Sequence, residues 1–225
     1  WGTYSQLGVI ESWTICPELT EWEYKGRPEG MTYMEYLRFY EHLKDTFNPI
    51  HFDPDKWAEA AEYAGMKYVV FTTKHHDGFN MFDTNLTDYK VTDEGCPFHS
   101  NPRSNIAKEV FNSFRAKGLK AGAYFSIADW HNNDYWWKFF SPKDRYINYD
   151  PARWPEKMTS FEDYVESQVR ELTNGDYGKI DLMWLDLCEI SETYEIHFPW
   201  GRIAAAAREG QPGMITVARG THSAY

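Results

Sequence analysis

The sequence predicts an α/β fold of the (β/α)8-barrel type, and three observations carry that prediction. Four short runs rich in β-branched and aromatic residues, nearly free of charge, recur along the chain (Met66 to Thr73, Lys120 to Ser126, Ile180 to Leu185, Met214 to Ala218). Such runs read as strands covered on both faces, as in a parallel sheet. Each is preceded by a segment of helical periodicity that ends in glycine or a polar turn, giving helix–turn–strand four times over. Finally, the segments after the strands are long and aromatic (Asn80 to Pro102, Asp129 to Pro155), whereas those before them are short. A barrel enzyme shows that asymmetry because its strand-to-helix loops build the site.

The elements follow in order. Asp53-Pro54-Asp55-Lys56 opens a helix, with a side-chain oxygen to accept the first free N–H groups and Pro at N1, where its missing N–H costs nothing. The helix runs through Trp57, Ala60 and Ala61 and stops at Gly65, a natural C′ residue. The first strand follows. A second helix from about Asn105 to Lys117 stops at Gly118 before the second strand, and Gly-Leu-Lys there echoes Gly-Met-Lys before the first. A third helix spans about Ser160 to Thr173, broken by Gly175 and Gly178, and a fourth spans Ile203 to Glu209. A doubly wound open sheet is the competing architecture, but no glycine-rich phosphate loop follows any strand. The chain opens at Trp1 and closes at Tyr225 directly after a strand-like run, so both ends are expected to lie inside a fold and the barrel to be incomplete at both ends.

Composition narrows the function. A net charge of −11 argues against a nucleic-acid surface, which needs clustered Lys and Arg. No apolar stretch approaches the roughly 20 residues of a membrane helix. Aromatic residues make up 18%, with ten Trp. Core packing accounts for most of them; sugar stacking is the sharper alternative, because a pyranose presents apolar C–H faces to rings. Cys16, Cys96 and Cys188 are odd in number and widely spaced, with no CxxC pair to hold zinc.

The candidate chemistry lies where the strands end. Lys74-His75-His76-Asp77-Gly78 follows the first. Adjacent strand side chains point to opposite faces, so both imidazoles enter one pocket only if the strand has ended, and Gly78 permits that turn. The pair then donates or accepts hydrogen bonds to ligand hydroxyls; one buried structural His beside an exposed one is the plainer alternative. A metal reading would add His99, His131 and nearby Asp residues, but no three-ligand set of the usual spacing is present. Asp186, after Met183-Trp184-Leu185, is a carboxylate at the end of an apolar strand, a costly place unless it is paired or functional. It serves either as a helix N-cap or as a nucleophile at an anomeric carbon. Arg219 ends its strand similarly and either makes a surface salt bridge or meets sugar oxygens and carboxylates. Asp129-Trp130-His131 serves as a loop brace or a substrate contact. No G-x-S-x-G elbow is present, which disfavours serine hydrolysis.

These residues, taken with Trp1-Gly2-Thr3-Tyr4-Ser5, Ala64-Gly65-Met66-Lys67-Tyr68, Thr72-Thr73-Lys74-His75-His76-Asp77-Gly78-Phe79, Asp88-Tyr89, Asn101-Pro102-Arg103 and Trp184-Leu185-Asp186, resemble the family 29 glycoside hydrolases, the α-L-fucosidases, and bacterial, Bacteroides-like members above all. The resemblance implies a retaining exo-hydrolase of terminal α-L-fucose on fucosylated oligosaccharides or glycoconjugates, secreted or periplasmic, without cofactor or metal. It implies a (β/α)8-like catalytic domain, of which residues 1–225 would be part, followed in the family by a β-sandwich absent from this chain. By the same resemblance Asp186 is the nucleophile, His75 and His76 bind fucose hydroxyls, and Tyr124 and Arg219 match the strand-end tyrosine and arginine. Glu11 and Trp13 stand for the family's Glu-Trp contact, with Ser12 between them, and Glu21-Trp22 is a second candidate. This sequence has Leu187 where Gly usually follows the nucleophile. The general acid/base is expected beyond Tyr225, since Glu189, Glu192 and Glu195 match no motif. Two other functions stay open: a non-catalytic fucose-binding protein on the same scaffold, and a metal-dependent barrel hydrolase.

Overall fold

The computed structural model describes residues 1–9, 11–15, 28–135, 152–186 and 198–219. Helix α1 (Tyr33–Glu41) and helix α2 (Pro54–Tyr63) lead into strand β1 (Tyr68–Lys74). Helix α3 (Ile106–Ala116), strand β2 (Lys120–Ser126), helix α4 (Pro155–Thr173), strand β3 (Leu182–Asp186), helix α5 (Trp200–Gly210) and strand β4 (Ile215–Arg219) follow. The four strands form one parallel sheet in the order β1-β2-β3-β4. Sequential parallel neighbours joined through helices are the repeating unit of a barrel wall, as the sequence predicts.

The local signals behave as read. Asp53 caps α2 by accepting from Lys56 N at 3.3 Å, with Pro54 at N1. Gly65 adopts φ +74 just past its end. Asn105 caps α3 through Lys108 N at 3.3 Å. Two helices extend beyond their expected starts. Helix α4 begins at Pro155, a proline again at N1, and not near Ser160. Helix α5 begins at Trp200, three residues before Ile203. Helix α1 has no counterpart in the sequence reading, although Thr32 and Glu35 form a full capping box: Thr32 Oγ1 accepts from Glu35 N at 3.3 Å, and Glu35 Oε2 accepts from Thr32 N at 2.9 Å.

One sheet face packs under the helices. Phe71 meets Phe111 of α3 edge-on at 6.4 Å, and Ala121, Ala123, Phe125, Met183 and Leu185 are fully or almost fully buried. The opposite face carries the alternate residues in register rows. Val70, Gly122, Leu182 and Ile215 form one row, Thr72, Tyr124, Trp184 and Val217 the next, and Ser126, Asp186 and Arg219 the row at the C-terminal rim. On this face Trp184 is 37% and Ile215 61% exposed, in keeping with a barrel expected to be incomplete. The four described strands are too few to curl round and cover their own inner face.

The loop after β1 is fixed to the helix layer and not left loose. Asn80 Oδ1 accepts from Gln168 Nε2 at 3.0 Å, and Glu171 accepts from Thr84 Oγ1 at 2.6 Å and from Asn85 N at 2.9 Å. Tyr177 Oη accepts from Asp83 N at 3.1 Å. Lys90 and Asp83 close the loop on itself at 2.8 Å. Among the described residues no helix is long and apolar enough to cross a membrane. Cys96 is a buried free thiol; Cys16 and Cys188 lie outside the described residues.

Candidate active site

The register row at the C-terminal rim places Asp186 beside Ser126 on one side and Arg219 on the other. The Asp186 side chain is buried, and its two oxygens are treated differently. Oδ2 accepts from Tyr124 Oη at 2.6 Å and lies 3.2 Å from the Arg219 guanidinium. Oδ1 is buried and has no hydrogen-bond partner among the described residues. Leaving a buried acceptor unsatisfied costs about 1–3 kcal/mol, more for a charged group. Its companion oxygen is doubly held, so the free oxygen is fixed in direction. One oxygen is thus held and the other left open among the described residues, while the segment after Asp186, on which an N-cap role would depend, lies outside them. Arg219 is itself 61% exposed at the side chain, but its partner is not, so the pair is no surface salt bridge.

The two histidines converge as expected. Strand β1 ends at Lys74, and Gly78 at φ +79 turns the chain back, with its N–H bonded to His75 O at 3.0 Å. The rings of His75 and His76 then lie 4.4 Å apart. His75 stacks on Tyr124 at 5.8 Å and 15°, which joins it to the Asp186 side of the pocket. Its Nδ1 lies 2.5 Å from Ser12 Oγ. His76 Nδ1 lies 2.6 Å from Ser126 Oγ, and Ser126 gives its single proton to Ala128 O at 2.7 Å. The network therefore assigns the proton to His76 Nδ1, and Nε2 carries the lone pair. Burial, with positive charge nearby that includes Arg219, pushes His75 down to about 3. Burial, with His75, Arg219 and Lys74 adding to it, holds His76 well below the ordinary imidazole range. Both rings are neutral and can accept from, as well as donate to, ligand hydroxyls.

Trp13 stands edge-on to His76 at 5.3 Å and to Trp130 at 5.2 Å, and Trp130 lies 5.3 Å from His76. Glu11 is half-buried, and its charge acts on Tyr4, whose ring lies 5.9 Å from His75. The structure thus brings His75, His76, Trp13, Tyr124, Asp186 and Arg219 to one rim, whereas Glu11 is linked to it, among the described residues, only through its charge on Tyr4 and the amino terminus. Glu21-Trp22 and the three glutamates Glu189, Glu192 and Glu195 lie outside the described residues. The Asp129 carboxylate is a brace: it accepts from His131 N at 3.1 Å and Asn132 N at 3.0 Å and pairs with buried Lys74 at 3.1 Å. His131 stacks on Tyr89 at 4.1 Å. Among the described residues no group of three His, Cys, Asp or Glu is placed to hold a metal ion.

Sequence reasoning passed over Ser126, Ser12 and Gln168. Ser126 was legible, since it lies two residues beyond Tyr124 and so shares its face. Ser12 stands inside the quoted Glu11-Ser12-Trp13. Gln168 gave no local signal, being 94 residues from Lys74.

A parallel barrel-type wall with a carboxylate, a guanidinium, two imidazoles and indole rings gathered at its C-terminal rim defines an α/β protein of the barrel class, whose sites are built at that end of the sheet. The sequence profile of the family described as Alpha-L-fucosidase matches residues 1–224, and the chain belongs to that family. It is 28% identical over 140 residues to alpha-L-fucosidase 1 of Arabidopsis thaliana, covering 62% of this chain and 23% of that protein. It is 26% identical over 200 residues to human plasma alpha-L-fucosidase, covering 82% of this chain and 38% of that one. Among solved structures, alpha-L-fucosidase isoenzyme 1 from Paenibacillus thiaminolyticus matches with a TM-score of 0.73 at 33% identity, over 96% of this chain and 46% of that one. Alpha-L-fucosidase AlfC from Lactobacillus casei, in complex with alpha-L-fucose product, matches with a TM-score of 0.61 at 30% identity, over 80% and 55%. The chain therefore spans from just under a quarter to just over half of these relatives.

Proposed function

We propose that the protein is a retaining exo-α-L-fucosidase acting on terminal fucose of glycans. The observation that carries this reading is the asymmetry of Asp186, with one oxygen held by Tyr124 and Arg219 and the other buried with no partner among the described residues. Oδ1 attacks the anomeric carbon as the glycosidic C–O bond breaks. A carboxylic acid protonates the leaving oxygen, and a fucosyl ester on Asp186 results. The same acid, now a carboxylate, takes a proton from water, whose oxygen attacks the anomeric carbon as its bond to Asp186 Oδ1 breaks; fucose leaves with retained configuration and Asp186 is a carboxylate again. That acid/base comes from outside the described residues and should stand about 5–5.5 Å from Asp186. His75 and His76 hydrogen-bond sugar hydroxyls, and Trp13 and Trp130 offer apolar ring surface to the sugar's C–H face. The remainder of the barrel, a following β-sandwich and a location outside the cytoplasm belong to the same reading.

The Lactobacillus casei relative, crystallised with α-L-fucose, supports the choice of sugar. The test is release of p-nitrophenol from its α-L-fucoside by the complete protein. Asp186→Gly should abolish it; unchanged turnover would remove Asp186 from the nucleophile role.

A further inference from the structure

Lys74, in the Lys-His-His-Asp-Gly string, is left without a task by this reading. Its side chain is fully buried, and so is Gln168; the Asp129 side chain is 2% exposed. The β1–β2 register slips between Thr72 and Lys74. Such a bulge re-aims the side chain that follows it. Lys74 accordingly points into the helix layer, where Nζ lies 3.1 Å from Asp129 Oδ2 and 2.9 Å from Gln168 Oε1 of α4, over the rings of Phe125 (4.4 Å) and Tyr164 (5.3 Å).

The partners of Lys74 reach both sides of the histidine turn. Asp129 Oδ1 accepts the N–H groups of His131 and Asn132 and lies so close to Gly78 that a Cβ there would sit 2.2 Å away. Trp130 N donates to His76 O at 2.8 Å. Gln168 donates to Asn80, which donates to Gly78 O at 2.9 Å and Tyr89 O at 3.2 Å. A buried ion pair is seldom more stable than apolar side chains of equal volume, so its use here points to fixing one arrangement.

We infer that Lys74 is a positioning residue: through Asp129 and Gln168 it locks together the two strand-end loops that present His75, His76 and Trp130. The inference rests on the reading of those groups as the sugar-binding wall. Lys74 touches no substrate. It acts by holding the backbone from which the imidazoles project.

The test uses the complete protein. Lys74→Met alone would strand a buried carboxylate, so the informative variant is Lys74→Met/Asp129→Asn. There the amide oxygen still accepts from the loop N–H groups. Gln168→Met is a milder second variant should the double variant fail to fold. Val110→Ala, in the core of α3 away from the rim, is the control for lost stability. The double variant should raise KM for the aryl α-L-fucoside about tenfold with kcat within about threefold, and Gln168→Met should raise KM about threefold, the pattern of lost uniform binding. In the imidazole ¹⁵N spectrum the Nδ1–H form of His76 should give way to a tautomer mixture in both. A folded variant with wild-type KM and wild-type ¹⁵N pattern overturns the inference. So does a Val110→Ala protein of equal Tm loss that shows the same changes. If the unaltered protein fails to cleave the fucoside, the functional reading falls, and the ¹⁵N spectrum alone decides the role of Lys74.

Discussion

Tyr124 and Asp186 are not register partners, yet they are bonded. Tyr124 pairs with Trp184 across β2 and β3, and its phenol reaches one row up the shared inner face to give its proton to Asp186 Oδ2 at 2.6 Å. The carboxylate is thereby aimed by a side chain rooted one layer deeper in the sheet. Tyr124→Phe should cut kcat for the aryl α-L-fucoside about ten- to a hundredfold, since a hydrogen bond to a charged group contributes about 1.5–3 kcal/mol. The fold should persist, because the ring stays. Steady-state kinetics with a melting curve check this.

The two imidazoles should not titrate near neutral pH. His75 is pushed down to about 3 and His76 lies well below the ordinary range, both chiefly by burial. A folded pKa below the unfolded value of about 6.5 gives stability that is whole above pH 6.5 and lost as pH falls toward 3. The Cε1–H resonances of both should therefore hold still between pH 5 and 8. His75→Gln should lose less stability than wild type over the acid range, measured by urea unfolding.

Asp77 has the opposite sign. Burial, with the charge of Asp129 adding to it, raises its carboxyl to about 6 despite hydrogen bonds from Tyr40 Oη at 2.7 Å and Phe79 N at 3.2 Å. A carboxyl raised above its unfolded value of about 3.9 contributes stability that is whole below pH 4 and lost as pH rises through 6. The unfolding free energy of Asp77→Asn, measured at pH 4, 5, 6 and 7, should therefore gain on wild type as pH rises.

Gly78 admits no side chain. Its φ of +79 is left-handed, and a Cβ would lie 2.2 Å from Asp129 Oδ1. The conformation alone costs an L-residue about 1–2 kcal/mol. Gly78→Ala should lower Tm and raise KM together, because the clash pushes on the loop that carries both histidines. A differential scan beside the kinetics measures both.

Much of this was legible before any coordinates. The strands and their order follow from apolar runs punctuated by glycine, and the rim position of Asp186 and Arg219 follows from where those runs stop. The convergence of His75 and His76 follows from Gly78. Other features were not readable, because they depend on partners far along the chain. Gln168 meets Lys74 from another element, and Tyr124 meets Asp186 by reaching into the next register row, which alternation alone does not foretell. The openness of the inner face at Trp184 and Ile215 agrees with a barrel expected to be incomplete, although an apolar run alone looks the same whether one face or two are covered. Helix α1 was missed despite the Thr32 and Glu35 signature, because no strand-like run follows it closely.

The most direct test of the central claim is covalent trapping. The complete protein is treated with a 2-fluoro-fucosyl fluoride, whose ester intermediate forms but breaks down slowly, then digested and sequenced by mass spectrometry. The added fluorofucosyl mass is expected on Asp186. Its appearance on another side chain, or release of the β-anomer from an α-fucoside as first product, would contradict the account.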